Sequence, residues 1–423
     1  MSLKKRWMKL IVVVMFCAVL LASLNSAVAQ ASDAITSEQF NGEAVILIDA
    51  VTKQTLFAKQ AHERRFPASL TKIVTAIYVI EHFDLSEVVT VSANARNEVG
   101  TRVYLAEGEQ VTLDKLIRGL LINSGNDAGT AIAEHIAGSN ENFAKLVNPY
   151  LRNRIGVENT HFMNAHGLHD DEHYTTAYDM AMIASYAMNN ELFREIVGTK
   201  QYAWEGKEWN TVLVNHNLML LRYAGATGIK NGFTDQAKRT LAISAKRGES
   251  EFIAVTMGAD SPELTYKDAT ELLDYAFTHY ETQFIASAGD QYTVGTGKNK
   301  QTFTVVENLY VTLPLHQPFV VMINDDGKLI VDAQIGELFV SQLLTDKQIA
   351  AEATAAAEVQ PAENTSASTG TKQAGQTAGE EESRGTSIWF EFMKWGALIA
   401  IFVCLMFLRR SKLRKARRRF SEN

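Results

Sequence analysis

Directly after Pro67 the chain enters a stretch, Ser69 to about His82, that is almost continuously apolar over helical length. A helix that is apolar all round has no face to offer to water, so the rest of the fold must enclose it. Two strand-like runs precede it, Glu43 to Asp49 and Thr55 to Lys59, separated by a polar turn and read as a hairpin. A helix-rich middle follows, from about Thr112 to Met188. Two further β-type runs, Arg239 to Ala245 and Glu251 to Met257, then form a second hairpin, and an amphipathic helix is expected from Leu264 to Tyr280. Strands at both ends with helices between predict one α+β domain over 30–282, its sheet pairing strands distant in sequence.

From Gln283 the texture changes to short alternating runs: Thr302 to Val306, Leu309 to Leu313, Phe319 to Ile323, Lys328 to Val331 and Ile335 to Val340. They predict a small all-β domain over 283–345. The stretch 346–386, rich in Ala, Glu, Thr, Ser, Gly and Gln, reads as a disordered linker. Lys4, Lys5, Arg6 and Lys9, an apolar run to about Leu24 and a small-residue ending at Ala29 give 1–29 the form of a cleavable secretory signal. Trp389 to Leu408 is apolar over membrane-spanning length, so 387–408 is expected to be a transmembrane helix. The basic cluster that follows, Arg409 to Arg419 within the tail 409–423, predicts that this end stays cytoplasmic and the bulk of the chain lies outside the cell membrane.

Setting aside the signal and the tail leaves 29 basic and 47 acidic residues, a net charge of −18, which argues against nucleic acid as a partner. Both cysteines, Cys17 and Cys404, fall in the apolar ends. The exported part therefore has no thiol chemistry and no disulfides, and its stability must come from a core.

Three polar groupings carry candidate chemistry. In Phe66-Pro67-Ala68-Ser69-Leu70-Thr71-Lys72, the hydroxyl of Ser69 and the amine of Lys72 share a face at the start of a helix. A serine hydroxyl needs an adjacent base, and a partly desolvated lysine can serve as one. Backbone N–H groups at the helix start point to where an oxyanion would form. Asn123-Ser124-Gly125-Asn126-Asp127 and Gly228-Ile229-Lys230-Asn231-Gly232-Phe233-Thr234 each read, alone, as a turn. Together, S-x-x-K, then S-x-N, then K-N-G in place of K-T-G reproduce in order a signature set of penicillin-recognising serine enzymes.

On these residues, with Asn164 to Leu168, His173 to Ala177 and Gly225 to Thr234, the chain resembles the serine-type D-alanyl-D-alanine carboxypeptidases, the low-molecular-mass penicillin-binding proteins, from about Gly42 to Tyr280. The resemblance implies an antiparallel sheet with helices, followed by a small β domain. It implies that Ser69 attacks the carbonyl between the two terminal D-alanines of a peptidoglycan stem peptide while Lys72 takes its proton. Ser124 and Asn126 would assist proton transfer to the leaving group and hold the peptide backbone. Lys230 would bind the terminal carboxylate beside Asn231 and Gly232, and the N–H groups of Ser69 and Phe233 would form the oxyanion hole. No cofactor is implied, and β-lactams are expected to trap Ser69. Asn231 stands where the family has threonine; its amide donates with a different reach, so altered efficiency or substrate preference is expected.

Other readings predict different behaviour. His161, His166, His169 and His173, crowded with Asp170, Asp171 and Glu172, could form a zinc site. A β-lactamase would turn penicillin over rapidly, but no E-x-x-L-N element lies between Asn126 and Lys230. A D,D-endopeptidase would cut cross-links, and a weakly active peptidoglycan-binding scaffold would fail to label with penicillin.

Overall fold

The computed structural model describes residues 35–297 and 300–351. The expected signal at 1–29, the transmembrane helix at 387–408 and the basic tail at 409–423 lie outside those residues. So does most of the expected linker, whose opening stretch, 346–351, is helical. Among the described residues no helix is long and apolar enough to cross a membrane.

The first unit is built on a five-stranded antiparallel sheet: β1 (Ala44–Asp49), β2 (Thr55–Lys59), β3 (Ala226–Thr234), β4 (Lys238–Arg247) and β5 (Ser250–Ala259), in the order β2-β1-β5-β4-β3. Its central strands are covered on both faces, so their residues are apolar at every position rather than at alternate ones. Along β1, Ala44, Ile46 and Ile48 enter one apolar layer while Val45 and Leu47 enter the other. The same alternation divides Ile253 and Val255 from Phe252 and Ala254 on β5.

The larger layer is helical: α1 (Thr71–His82), α2 (Leu113–Ile122), α3 (Asn126–Ala137), α4 (Asn140–Tyr150), α5 (Ala177–Met188) and α6 (Glu191–Gly198). As its sequence demanded, α1 is enclosed, with Ile73, Val74, Ala76, Ile77 and Val79, and Leu70 just before it, inaccessible to solvent. Each such side chain contributes about 1.5–3 kcal/mol relative to an exposed one. The other face of the sheet is closed by α7 (Pro262–His279), through Ala269, Leu272, Leu273 and Ala276.

Two local expectations change. The stretch Gly228 to Thr234 is no turn; it lies inside β3, the edge strand next to the start of α1. Its glycines, poor strand formers, are there because of what approaches them. The helix expected to end at Tyr280 ends at His279, and Tyr280 opens a strand. Two short antiparallel pairs, Val88–Thr90 with Gln110–Thr112 and Gln201–Glu205 with Asn210–Val214, were not legible as strands.

The β-rich remainder consists of β6 (Tyr280–Ala286) paired with β9 (Leu309–Pro314), β7 (Gln291–Val294) paired with β8 (Gln301–Thr304), and the three-stranded sheet β10 (Phe319–Ile323), β11 (Lys328–Ala333) and β12 (Gly336–Gln342). Its strand β6 runs through position 283, where a domain boundary is expected. Small apolar clusters hold it, one around Phe303, Leu309 and Leu329 and another around Val311, Leu313 and Val331. It meets the first sheet at the end of β1. There Thr282 Oγ1 donates to Asp49 Oδ2 at 2.5 Å, and the hydroxyls of Thr52 and Thr312 also lie 2.5 Å apart.

Candidate active site

Ser69 sits in a 3-10 turn, Ala68–Leu70, that leads into α1. The residue before it, Ala68, has φ of 48°, a left-handed value that is uncommon for a residue with a side chain. A chain of hydrogen bonds fixes this conformation. Met163 N–H donates to His173 Nδ1 at 3.1 Å, so His173 carries its proton on Nε2, 2.8 Å from Thr71 Oγ1, and the Thr71 hydroxyl donates to the Ala68 carbonyl at 2.9 Å. Burial, reinforced by neighbouring histidines and Lys72, drives His173 down to a pKa of about 3, which keeps it neutral in this role. Gly167, at φ 87°, packs onto the same carbonyl so closely that a Cβ there would lie 1.8 Å from Ala68 O.

Lys72, one turn along α1, is wholly buried. Its Nζ lies 2.9 Å from Ser69 Oγ, 2.7 Å from Asn126 Oδ1 and 2.6 Å from the His166 carbonyl. Burial holds the amine well below the ordinary lysine range. The charge of Lys230 pushes it further down, while Asp127 and Glu98 pull it up. A neutral amine has two N–H bonds and one lone pair. The two carbonyl oxygens are the closer acceptors and take the N–H bonds, which leaves the lone pair for the Ser69 hydroxyl.

Each partner of Lys72 is itself fixed. Asn126, at the head of α3, donates through Nδ2 to the Val99 carbonyl at 2.7 Å. The loop bearing His166 is held by Asn164, which accepts from His166 N and Gly167 N and donates to Leu168 O, and by Thr75 Oγ1 donating to Ala165 O at 2.7 Å. The ring of His166 accepts from Leu168 N at Nδ1, and its Nε2 faces Glu98 Oε2 at 3.4 Å. Burial lowers the pKa of His166, so the ring is a neutral donor to Glu98. That hydrogen bond is the largest influence taking Glu98 down to about 2.

Of the other expected residues, Ser124 is buried at the mouth of the turn before α3 with φ of 63° and makes no hydrogen bond through its side chain among the described residues. Asp127 serves the loop beside the site, which its carboxylate ties down by accepting from the N–H groups of Val103, Leu105 and Ala128. Lys230 is buried on β3, and desolvation lowers it to about 7. Its amine donates to Asn231 O at 2.8 Å and lies 3.3 Å from Asn231 Oδ1. Gly232 backs directly onto the nucleophile, because a Cβ there would lie 2.7 Å from Ser69 N and 2.6 Å from Thr240 Oγ1. Phe233 is 48% exposed, with the Arg239 guanidinium 4.0 Å above its ring.

The structure thus joins Ser69, Lys72 and Asn126 by hydrogen bonds and brings β3 against them, while no hydrogen bond links Ser124 to Ser69 or Lys72 among the described residues. The crowded histidines do not converge. His166 and His173 use both ring nitrogens as described, His161 Nδ1 faces the Glu172 carbonyl, and His169 Nε2 faces Asp171. Among the described residues no group of three or more His, Cys, Asp or Glu could hold a metal ion. Reasoning from sequence missed Glu98, Thr71, His173 and Gly167 as supports; the stretches Asn164 to Leu168 and His173 to Ala177 contain Gly167 and His173, Thr71 lies within the Ser69 to Lys72 motif, and nothing marked Glu98.

A family model described as D-alanyl-D-alanine carboxypeptidase matches residues 18–261. The chain is 36% identical over 292 residues to the D-alanyl-D-alanine carboxypeptidase DacF of Bacillus subtilis, covering 67% of this chain and 75% of that protein. It is 32% identical over 301 residues to DacA of Escherichia coli K12, covering 65% and 72%. Among solved structures, the D-alanyl-D-alanine carboxypeptidase DacD from Francisella tularensis covers 74% of this chain and 95% of its own, with 25% identity and a TM-score of 0.62. A DD-transpeptidase of Streptomyces K15 covers 56% and 98%, with 31% identity and a TM-score of 0.54.

Proposed function

Because the chain belongs to the D-alanyl-D-alanine carboxypeptidase family of serine peptidases, we propose that it removes the terminal D-alanine of peptidoglycan stem peptides with Ser69 as nucleophile and Lys72 as its base. The observation that carries this reading is the Lys72 amine, buried, depressed in pKa and 2.9 Å from Ser69 Oγ, with two carbonyl oxygens occupying its N–H bonds. The lone pair takes the Ser69 proton as Oγ attacks the carbonyl carbon between the two D-alanines. Negative charge develops on the carbonyl oxygen, where the N–H groups of Ser69 and Phe233 receive it. Collapse breaks the C–N bond, the proton passes to the leaving nitrogen with Ser124 assisting, and D-alanine departs. Water then attacks the Ser69 ester, with Lys72 again as base. A β-lactam, as an acyl donor whose leaving group stays tethered, gives a long-lived adduct on Ser69.

Gly232 leaves room for the oxyanion hole, since any side chain there would collide with the Ser69 amide. Asn126 holds Lys72 and presents the substrate backbone with a polar edge. We assign the β-rich stretch from Tyr280, where β6 begins, to about residue 345 to a small β domain and 346–386 to a linker. The apolar segment 387–408, with the basic residues after it, is assigned to a single-pass anchor that keeps the peptidase on the extracytoplasmic face. The purified full chain, in detergent, is expected to release D-alanine from a peptide ending in D-Ala-D-Ala. Mass spectrometry of peptidoglycan fragments identifies the bond cut. No release from a folded protein would sink the assignment.

A further inference from the structure

Where the peptidase unit meets the β-rich region, past the end of β1, the two border an open cleft of 640 Å3. One wall is the turn after β1, with Gln54, together with Asn189 just past α5; the other is β9, the loop before it, and β12. Hydroxyl contacts, Thr282 with Asp49 and Thr52 with Thr312, hold the walls at a fixed spacing. Asp49 also accepts from the N–H groups of Val51 and Thr52, which pins the turn itself.

The strands of the second wall are bulged. Pairing of β11 with β12 passes from Ile330–Phe339 to Leu329–Ser341 and skips Val340, and pairing of β6 with β9 passes from Phe284–Tyr310 to Ala286–Leu309 and skips Ile285. A regular strand turns alternate side chains away, whereas an extra residue re-aims them. On β12 the consecutive residues Leu338, Phe339 and Val340 all border the cleft, and the Phe339 side chain is 63% exposed. Around it the side chains of Gln54, Asn189 and Glu307 make no hydrogen bond among the described residues, and Asn308 uses only its oxygen, which accepts from Ala288 N. Glu307 is the one charged residue among those that border the cleft.

This lining suits a neutral ligand rich in hydroxyl and amide groups. An aromatic face packs against the C–H face of a sugar ring, and side-chain amides, which both donate and accept, match hydroxyl and acetamido groups. A polyanion would meet no cation here and an acidic exported chain around it. Position in the fold narrows the ligand further. The pairs Gly232–Thr240, Thr240–Met257 and Met257–Ala44 set Ser69, which backs onto Gly232, level with the start of β1. The cleft lies past the other end of β1, about 17 Å away along the strands. A stem peptide of about five residues reaches no farther when fully extended, so the cleft faces polymer beyond the stem.

We propose that this cleft binds the N-acetylated sugar backbone of peptidoglycan, gripped by Phe339 and the amides of Gln54, Asn189 and Asn308 while stem peptides are processed at Ser69. The identity of the polymer rests on the peptidase reading above.

The test uses the full chain in a detergent without a sugar head group, as wild type, Phe339→Ala and Asn189→Ala, each checked by circular dichroism and melting temperature. Both side chains are exposed, so folding should be retained; Phe339→Leu takes the place of the alanine variant if it is not. The probes are a hexamer of N-acetylglucosamine linked as in chitin and peptide-free glycan strands, titrated calorimetrically at low and high salt. The wild type is expected to bind both with an affinity that salt leaves unchanged, and Phe339→Ala to bind roughly 10-fold more weakly, as for one lost ring contact. Asn189→Ala should lose a few-fold, as for one hydrogen bond. D-Alanine release from a soluble D-Ala-D-Ala peptide should be the same in all three, while release from intact peptidoglycan at limiting polymer should fall in step with binding. No sugar binding by the wild type, binding that neither variant weakens, or an equal loss on the soluble peptide overturns the proposal. So does Phe339-dependent binding of an oligolysine peptide in place of the sugars. If the soluble peptide is not cleaved by the wild type, the peptidase reading fails, and the titrations still decide what the cleft holds.

Discussion

The peptidase unit and the β-rich region after it are built on opposite terms. Around Ser69 the interior holds Lys72, Lys230, Asp127, His166 and His173, charged or titratable groups that burial disfavours. The region from β6 to β12 buries little beyond apolar side chains and a few threonines, while leaving Val320, Met322 and Phe339 exposed. In the first unit a two-layered apolar core supports a polar centre that contributes little to folding. In the second, small apolar clusters and paired strands hold the fold.

The largest expected effect lies in the first unit and leaves folding alone. Ser69→Ala should abolish the penicillin adduct and D-alanine release, a loss of roughly 10^4-fold or more, with an unchanged melting temperature. A large drop in Tm would show that the polar centre does hold the fold, and the contrast would collapse. The converse experiment is Leu329→Ala in the β-rich region, where Leu329 is inaccessible to solvent in the cluster with Phe303 and Leu309. It should destabilise that region by about 2–4 kcal/mol, as seen by denaturant unfolding, with the rate of Ser69 acylation unaffected. A matching fall in acylation would mean the two are mechanically one.

A third test concerns the buried amine of Lys230. Its folded pKa, about 7, lies below the ordinary lysine value of 10.5. Between those pH values the unfolded chain holds a proton that the native state has released, so stability should rise with pH across this window and level off below about 7. The rise is on the order of a few kcal/mol. Lys230→Met should make the rise shallower, Lys72 with its similarly depressed pKa supplying what is left; an equally steep rise in that variant would assign it to other groups. The smallest effect is expected from Thr71→Val, which removes the hydroxyl between His173 and the Ala68 carbonyl. Acylation should slow by about 10-fold with penicillin binding retained, consistent with one lost positioning hydrogen bond. An unchanged acylation rate would show that the backbone at Ala68 holds its conformation without help.

The parts of the fold that were legible in the sequence are those where one physical demand dominates. Strand β1, the middle stretches of β4 and β5 and most of helix α1 are dominated by apolar residues because they are covered on every side, and little competes with that signal. Strand β3 must pair with β4 and also accept close neighbours, Val197 at Gly228 and the Ser69 amide at Gly232, and that second demand writes two glycines into it, so it reads as a turn. Ser69 and Lys72 were visible because they are three residues apart. Thr71 and His173, 102 residues apart, were not, since nothing local ties a threonine to a remote histidine. The histidine cluster misled for the same reason: spacing suggests shared ligands, whereas the rings turn to separate partners.

Gly167 carries no side chain, takes no part in proton transfer and will never be labelled by an inhibitor. Yet the 1.8 Å that a single added carbon would leave to Ala68 O makes it one of the least replaceable positions in the molecule. To a genetic screen for loss of activity it will look like Ser69, since substitutions at either should score as null alleles. Phenotype alone cannot distinguish a residue that performs chemistry from one that keeps a space empty, and a map of intolerant positions will outline the clearance around the nucleophile as sharply as the nucleophile itself.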